Sequence, residues 1–147
     1  MIVISPIGYQ HLDAILAIES ISFSDPWTKD DFIEETLYGP SIVALDKEIV
    51  VGYATMRQIV TEGHICNIAV HESHRQKGIG SALLDALAKA AISYGITSLT
   101  LEVRVGNRAA MALYHKHGFK VEGYRKDFYR YPTEDAAIMW KYIEVNE

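Results

Sequence analysis

The stretch from His64 to Arg104 constrains the fold more than any other part of the chain. His64–Val70 is a short apolar run of strand length. In Gly78–Tyr94, Leu83, Leu84, Leu87, Ala91 and Tyr94 recur at helical spacing, and Gly95 stands where a left-handed C′ residue belongs. Ser98–Arg104 then alternates, with Leu99, Leu101 and Val103 on one face. Strand, helix and strand in that order imply two parallel strands joined by a right-handed crossover. A sheet holding such a unit needs cover, so an α/β architecture is expected.

The flanking segments fill in a mixed sheet. Ile2–Ile4 reads as a short strand, and Gly8–Ser22 as a helix with Leu12, Ile15, Leu16 and Ile18 at helical spacing. Phe23–Trp27 breaks that pattern. Thr28 is placed to cap a second helix, with Asp30 and Asp31 in its first turn and a stop expected near Tyr38, before Gly39-Pro40. Ser41–Leu45 and Ile49–Arg57 flank Asp46-Lys47-Glu48 as a hairpin. Asn107–His117 reads as a short helix ended by Gly118, followed by strands at Phe119–Arg125 and Ala136–Ile143. No repeat or linker interrupts residues 1–147, so one domain is expected.

Composition narrows the function. A net charge of −5 argues against a general nucleic-acid binder. Residues 1–60 hold nine acids against three bases, whereas the remainder is near balance, a distribution suited to a cationic substrate beside an anionic cofactor. No apolar run reaches the ~18 residues of a membrane span, and the N-terminus shows no leader pattern. The single cysteine, Cys66, has no internal partner, which fits a reducing, cytoplasmic setting. His71/His74 and His115/His117 lack the spacing that completes a metal site, so they are expected to be solvated.

Between the crossover's first strand and its helix lies Arg75-Gln76-Lys77-Gly78-Ile79-Gly80. Glycines there let the backbone approach a ligand and turn its N–H groups outward, and the helix start adds a positive dipole end, so phosphate would fit. The spacing is neither a Walker A loop nor a Rossmann fingerprint. It resembles the R/Q-x-x-G-x-G/A loop of the GNAT superfamily of acyl-CoA transferases. Asn67-Ile68-Ala69-Val70, Asn107 and the run Ala110, Ala112, Leu113, Tyr114, Gly118-Phe119 match further family segments in order. The resemblance implies a GNAT fold and acetyl-CoA as co-substrate. Ile68, Ala69, Val70, Arg75, Gln76, Lys77, Gly78, Ile79, Gly80, Ser81 and Asn107 would then hold the CoA.

Within the superfamily the chain is similar to the RimI-type ribosomal-protein alanine N-acetyltransferases. Phe23–Trp27, Asn67–Val70, Leu101–Arg104 and the tail from Tyr129 to Met139 carry that likeness. Phe128-Tyr129 replaces a Tyr-Tyr common in such tails. The resemblance implies a protein N-terminus as acceptor, that of a small-subunit ribosomal protein. A small-molecule amine acetyltransferase and a non-catalytic acyl-CoA-binding module are the alternatives.

Only a neutral amine attacks a thioester. For an α-amine of pKa 7.7–8.0, deprotonation at pH 7 costs about 1 kcal/mol, and for a lysine near 10.4 about 4–5 kcal/mol. A modest base therefore serves an N-terminus. Strand alternation sets Glu102 opposite Leu101 and Val103, where a carboxylate needs a task or a partner. Arg104 or solvent would be that partner if the role were structural. By resemblance Glu102 is the proton acceptor. Tyr114, on the helix after Asn107, is the expected acid toward the departing thiolate. Cys66 is expected to be a buried structural thiol. Trp27, Tyr129 and Tyr131 fit either a substrate groove or ordinary packing.

Overall fold

In the computed structural model, residues 1–143 are described. The strands are β1 (Ile2–Pro6), β2 (Ser41–Asp46), β3 (Ile49–Ile59), β4 (Glu62–Val70), β5 (Ser98–Arg104), β6 (Lys120–Tyr129) and β7 (Glu134–Tyr142). The helices are α1 (Leu12–Ser22), α2 (Lys29–Glu35), α3 (Ile79–Ser93) and α4 (Arg108–Lys116). The seven strands form one sheet in the order β1-β2-β3-β4-β5-β7-β6. Only β4 and β5 run parallel, and α3 makes the crossover between them. Every other pairing is antiparallel.

Local chemistry explains the helix ends. Thr28 Oγ1 accepts from the Asp31 N–H while the Asp31 carboxylate accepts from the Thr28 N–H, closing a capping box on α2. That helix stops at Glu35, earlier than the expected Tyr38. The Tyr38 and Pro40 carbonyls accept from the Gln58 and Met56 amides, and this pairing with β3 pulls the chain off the helical path. The two backbones approach so closely that a Cβ on Gly39 would fall 2.2 Å from the Met56 carbonyl oxygen. A 3-10 turn, Tyr9–His11, replaces the expected first turn of α1.

Two apolar layers sandwich the sheet. Under α3 lie Leu83, Leu84 and Leu87 with Ile65, Leu99, Leu101 and Val103. On the other face α1 and α2 cover Val43, Val50 and Tyr53 with Leu12, Ile15, Ile18 and Phe32. Leu87 is fully buried at the centre of the first layer. Leu87→Ala is expected to cost about 2–5 kcal/mol. A domain of this size has roughly 5–15 kcal/mol in hand. Urea unfolding should show a lower midpoint with an unchanged slope.

The parallel pairing is short. It joins Glu62, Gly63 and His64 to Ser98, Leu99 and Thr100, and ends there. Beyond His64 the two strands diverge, and β4 keeps only β3 as a neighbour. The gap lies at the C-terminal end of the parallel pair, where open α/β sheets place their ligands.

Candidate active site

The loop between β4 and α3 holds two left-handed residues, Gln76 (φ 62°) and Gly78 (φ 81°), two positions apart. Gly78 caps α3 without any side-chain hydrogen bond. The helix ladder begins with Ala82 N–H donating to the Gly78 carbonyl (3.0 Å), so the amides of Ile79, Gly80 and Ser81 are the orphan donors of the helix start. Alternating left-handed backbone and a free helix N-terminus make a concave anion seat. Gly80 packs against α4: a Cβ there would lie 3.0 Å from Leu113 Cδ2. The Arg75 Nε–H donates to the Val70 carbonyl (3.3 Å), tying the loop back to the strand.

Asn107 caps α4. Its Oδ1 accepts from the Ala110 N–H (3.1 Å), which leaves its amide nitrogen as the group available to a ligand. Ile68 and Val70 pack on the α3 layer, whereas Ala69 faces α1.

Glu102 occupies the expected face of β5, but its partner is neither Arg104 nor solvent. His64, at the last paired position of β4, donates through Nε2 to Glu102 Oε2 at 2.6 Å. Arg125 on β6 brings its Nε within 4.0 Å of the other oxygen. The adjacent Cys66 thiol and the Glu102 carboxylate hold the His64 imidazole protonated, pushed up to about 10 against the opposing effect of burial. His64, in turn, holds the Glu102 carboxyl below its ordinary range, with burial working the other way. The pair is therefore charged throughout the neutral range. Its stabilising contribution fades as pH rises through about 10 on the histidine side, and in acid on the glutamate side.

Arg104 is engaged elsewhere. Its guanidinium donates to Glu134 Oε1 (3.1 Å), to the Pro132 and Arg130 carbonyls (2.9 and 3.0 Å) and to Ser24 Oγ (3.2 Å). Ser24 Oγ–H also donates to the Arg130 carbonyl (3.1 Å), and Asp25 pairs with Arg130. The loop after α1 is thus fastened to the β6–β7 turn above Glu102.

Tyr114 is nearly buried, with its ring edge-on to Phe119 at 6.0 Å. Its hydroxyl makes no hydrogen bond among the described residues. Burial, and then Tyr129, raise its phenol above the ordinary range. Tyr129 acts electrostatically on Tyr114 and is itself acted on by Glu102. Burial and the Glu102 carboxylate push it up to about 12, and Arg104 stacks on its ring at 4.5 Å. Trp27 is half-buried against Phe32, and Tyr131 stands in solvent.

Several expectations need correction. His74 pairs with Asp46, and His117 is largely buried between Ser81 and Asp85, so neither is simply solvated. Cys66 is half-buried, not buried, and lies 3.9 Å from His64 Nδ1, beside a histidine–acid pair that spacing alone hides. His64 and Arg125 were missed as site residues. The available signal was the parallel unit itself, because His64 and Glu102 occupy non-core positions of adjacent strands.

The model of the Acetyltransferase (GNAT) family matches residues 12–119. The chain belongs to that family. As a GNAT member it is an acetyl-CoA-dependent N-acetyltransferase. It is 32% identical over 143 residues to the [ribosomal protein bS18]-alanine N-acetyltransferase of Salmonella typhimurium, covering 92% of this chain and 94% of that one. It is 34% identical to an N-alpha-acetyltransferase of Saccharolobus solfataricus, covering 87% and 85%. The crystal structure of the Escherichia coli ribosomal-protein-S18-alanine N-acetyltransferase superposes with a TM-score of 0.92 at 29% identity, covering 100% of this chain and 97% of that one. The GNAT fold, with its mixed seven-stranded sheet flanked by four helices, matches the fold expected from sequence. Among the described residues no helix is long and apolar enough to cross a membrane.

Proposed function

We propose that this GNAT enzyme is a cytoplasmic N-α-acetyltransferase of RimI type. It would transfer the acetyl group of acetyl-CoA to the N-terminal alanine of a small-subunit ribosomal protein, by direct attack in a ternary complex. The observation that carries this reading is the His64–Glu102 pair. A carboxylate held below its ordinary range is a weak base. It can take a proton from an amine of pKa 7.7–8.0 but is poorly matched to a lysine near 10.4. The relatives above are named for acetylating the alanine of a ribosomal protein, which is an acceptor of this class.

Bound acetyl-CoA supplies the electrophilic thioester carbonyl. The orphan amides of Ile79, Gly80 and Ser81, with Gln76, Lys77, Gly78 and Arg75, would take its pyrophosphate. The Ile68–Val70 backbone, unpaired on its β5 side, and the Asn107 amide would hold the pantetheine arm. Glu102, oriented by His64, accepts the amine proton directly or through water. Tyr114 offers its unpaired phenol to the leaving sulfur. The Ser24–Arg104–Arg130–Glu134 network would form the rim of the acceptor side.

Thiol release from acetyl-CoA with two peptides tests this. One begins with a free alanine followed by basic residues. The other is N-terminally blocked and carries an internal lysine. Turnover of the free-alanine peptide alone is expected. Turnover of neither peptide, with CoA still bound, would overturn the peptide assignment and point to a small amine.

A further inference from the structure

Glu19 has no part in the chemistry above, yet it is a carboxylate only 1% exposed, in the last turn of α1. Three elements donate to it. The Trp27 N–H reaches Oε2 at 2.9 Å from the loop before α2. The Tyr53 hydroxyl reaches Oε1 from β3. The Asn67 side-chain amide spans both oxygens, at 3.0 and 2.8 Å, from β4. A buried carboxylate is costly even with its bonds made, and an apolar side chain would serve simple packing better. What the carboxylate gains here is placement.

Asn67 sits at an irregular point of β4. Thr55 pairs with Asn67 and Met56 with Ile65, so Cys66 is an extra residue opposite β3. The extra residue changes the phase of the strand. Ile65 and Ile68 both pack on the α3 layer though three residues apart, which regular alternation forbids. The Asn67 N–H bonds to the Thr55 hydroxyl (3.2 Å) in place of a ladder carbonyl. The bulge lies just past the last β4–β5 pair and just before Ile68–Val70.

We infer that Glu19 is a positioning residue that joins the two substrate sites, fixing through Asn67 the bulge that presents Ile68–Val70 to the cofactor and through Trp27 the loop that faces the acceptor. This rests on the cofactor and acceptor sides assigned above. In Glu19→Gln the shape is kept, but the one remaining oxygen can serve Trp27 and only one of the two Asn67 contacts, and the new amide faces the Asn67 amide. The tie between Trp27 and Asn67 would then be weakened and lose its charge assistance.

Calorimetric titration with CoA and amide hydrogen exchange of the free protein test the idea. Glu19→Gln is expected to weaken CoA binding more than tenfold and to accelerate exchange at Trp27 and Asn67 together, with the far-UV spectrum retained. Adding Asn67→Asp restores a donor–acceptor match with the groups exchanged, and should return CoA affinity to within about threefold of the parent. If Glu19→Gln does not fold, Asn67→Ala, which removes the strand's half of the tie, is read in the same way. A lower thermal midpoint with CoA affinity unchanged would overturn the inference, as would a loss that the double variant does not recover. A parent protein that binds no CoA would instead sink the cofactor assignment, and the exchange pattern alone would then decide the role of Glu19.

Discussion

Glu102→Gln should lower kcat by about 10²–10³-fold while changing the acetyl-CoA KM by less than about threefold. A positioned general base contributes roughly 10²–10⁴-fold. The glutamine keeps shape and hydrogen bonding but cannot accept the amine proton. Its effect on binding should be small, because the proposed cofactor seat is backbone of the 75–81 loop and of β4, away from β5. The residual rate should rise with pH through the acceptor's own titration near 7.7–8.0, since the peptide must then arrive deprotonated. In the parent enzyme the Glu102 carboxylate is already ionised well below neutrality, so it adds no limb of its own to the profile between pH 6 and 9. Removing the carboxylate also releases His64 from one of the two groups that hold its proton. The imidazole pKa should therefore fall toward 6.5, which its proton NMR titration would show. Full activity in Glu102→Gln would remove Glu102 from the chemistry and point to His64 or water as the acceptor.

Tyr114→Phe is expected to lower kcat by about 10²-fold on the same scale of acid–base contributions. The ring stays, so its edge contact with Phe119 and its place in the α3 layer survive. What disappears is one hydroxyl that has no protein partner among the described residues. Because burial holds that phenol above its usual range, it stays protonated at every pH the assay uses. The defect should shrink when the acyl donor carries a more acidic thiol, which needs less help to depart. A defect that is the same with every leaving group would assign the hydroxyl to cofactor placement instead.

Much of this arrangement was legible because periodicity and turn chemistry act locally. The α3 heptad-like run, the Thr28 cap and the alternation of Ser98–Arg104 each declare an element from a few neighbouring residues. Alternation places Glu102 on the face opposite Leu101 and Val103, where β5 carries it, while its role as proton acceptor comes from the family resemblance alone. Its partner, His64, is not among the candidates that sequence offers for a structural role, Arg104 or solvent, because the register between strands is set by distant contacts. Arg104, two residues away in sequence, faces Glu134 and the rim, while His64, thirty-eight residues upstream, arrives at 2.6 Å. The Cys66 bulge was hidden for the same reason, since an inserted residue shows only against the partner strand. The early end of α2 likewise reflects pairing of residues 38–40 with β3, which overrides local helix preference. Glu19 reads in sequence as one more polar residue on an amphipathic helix, and only tertiary packing reveals that it is enclosed.

The anion seat has a wider consequence. Most of its donors are main-chain amides, which carry partial charge but no formal charge. An acidic protein can thus accommodate a polyanion without acquiring a cationic surface. The side chains around the loop are then free to drift in charge, as long as the backbone dihedrals at Gln76 and Gly78 persist. In the proposed cofactor site, affinity for the phosphates would be a property of chain geometry, and solubility and partner choice could be tuned on the surrounding surface independently of it.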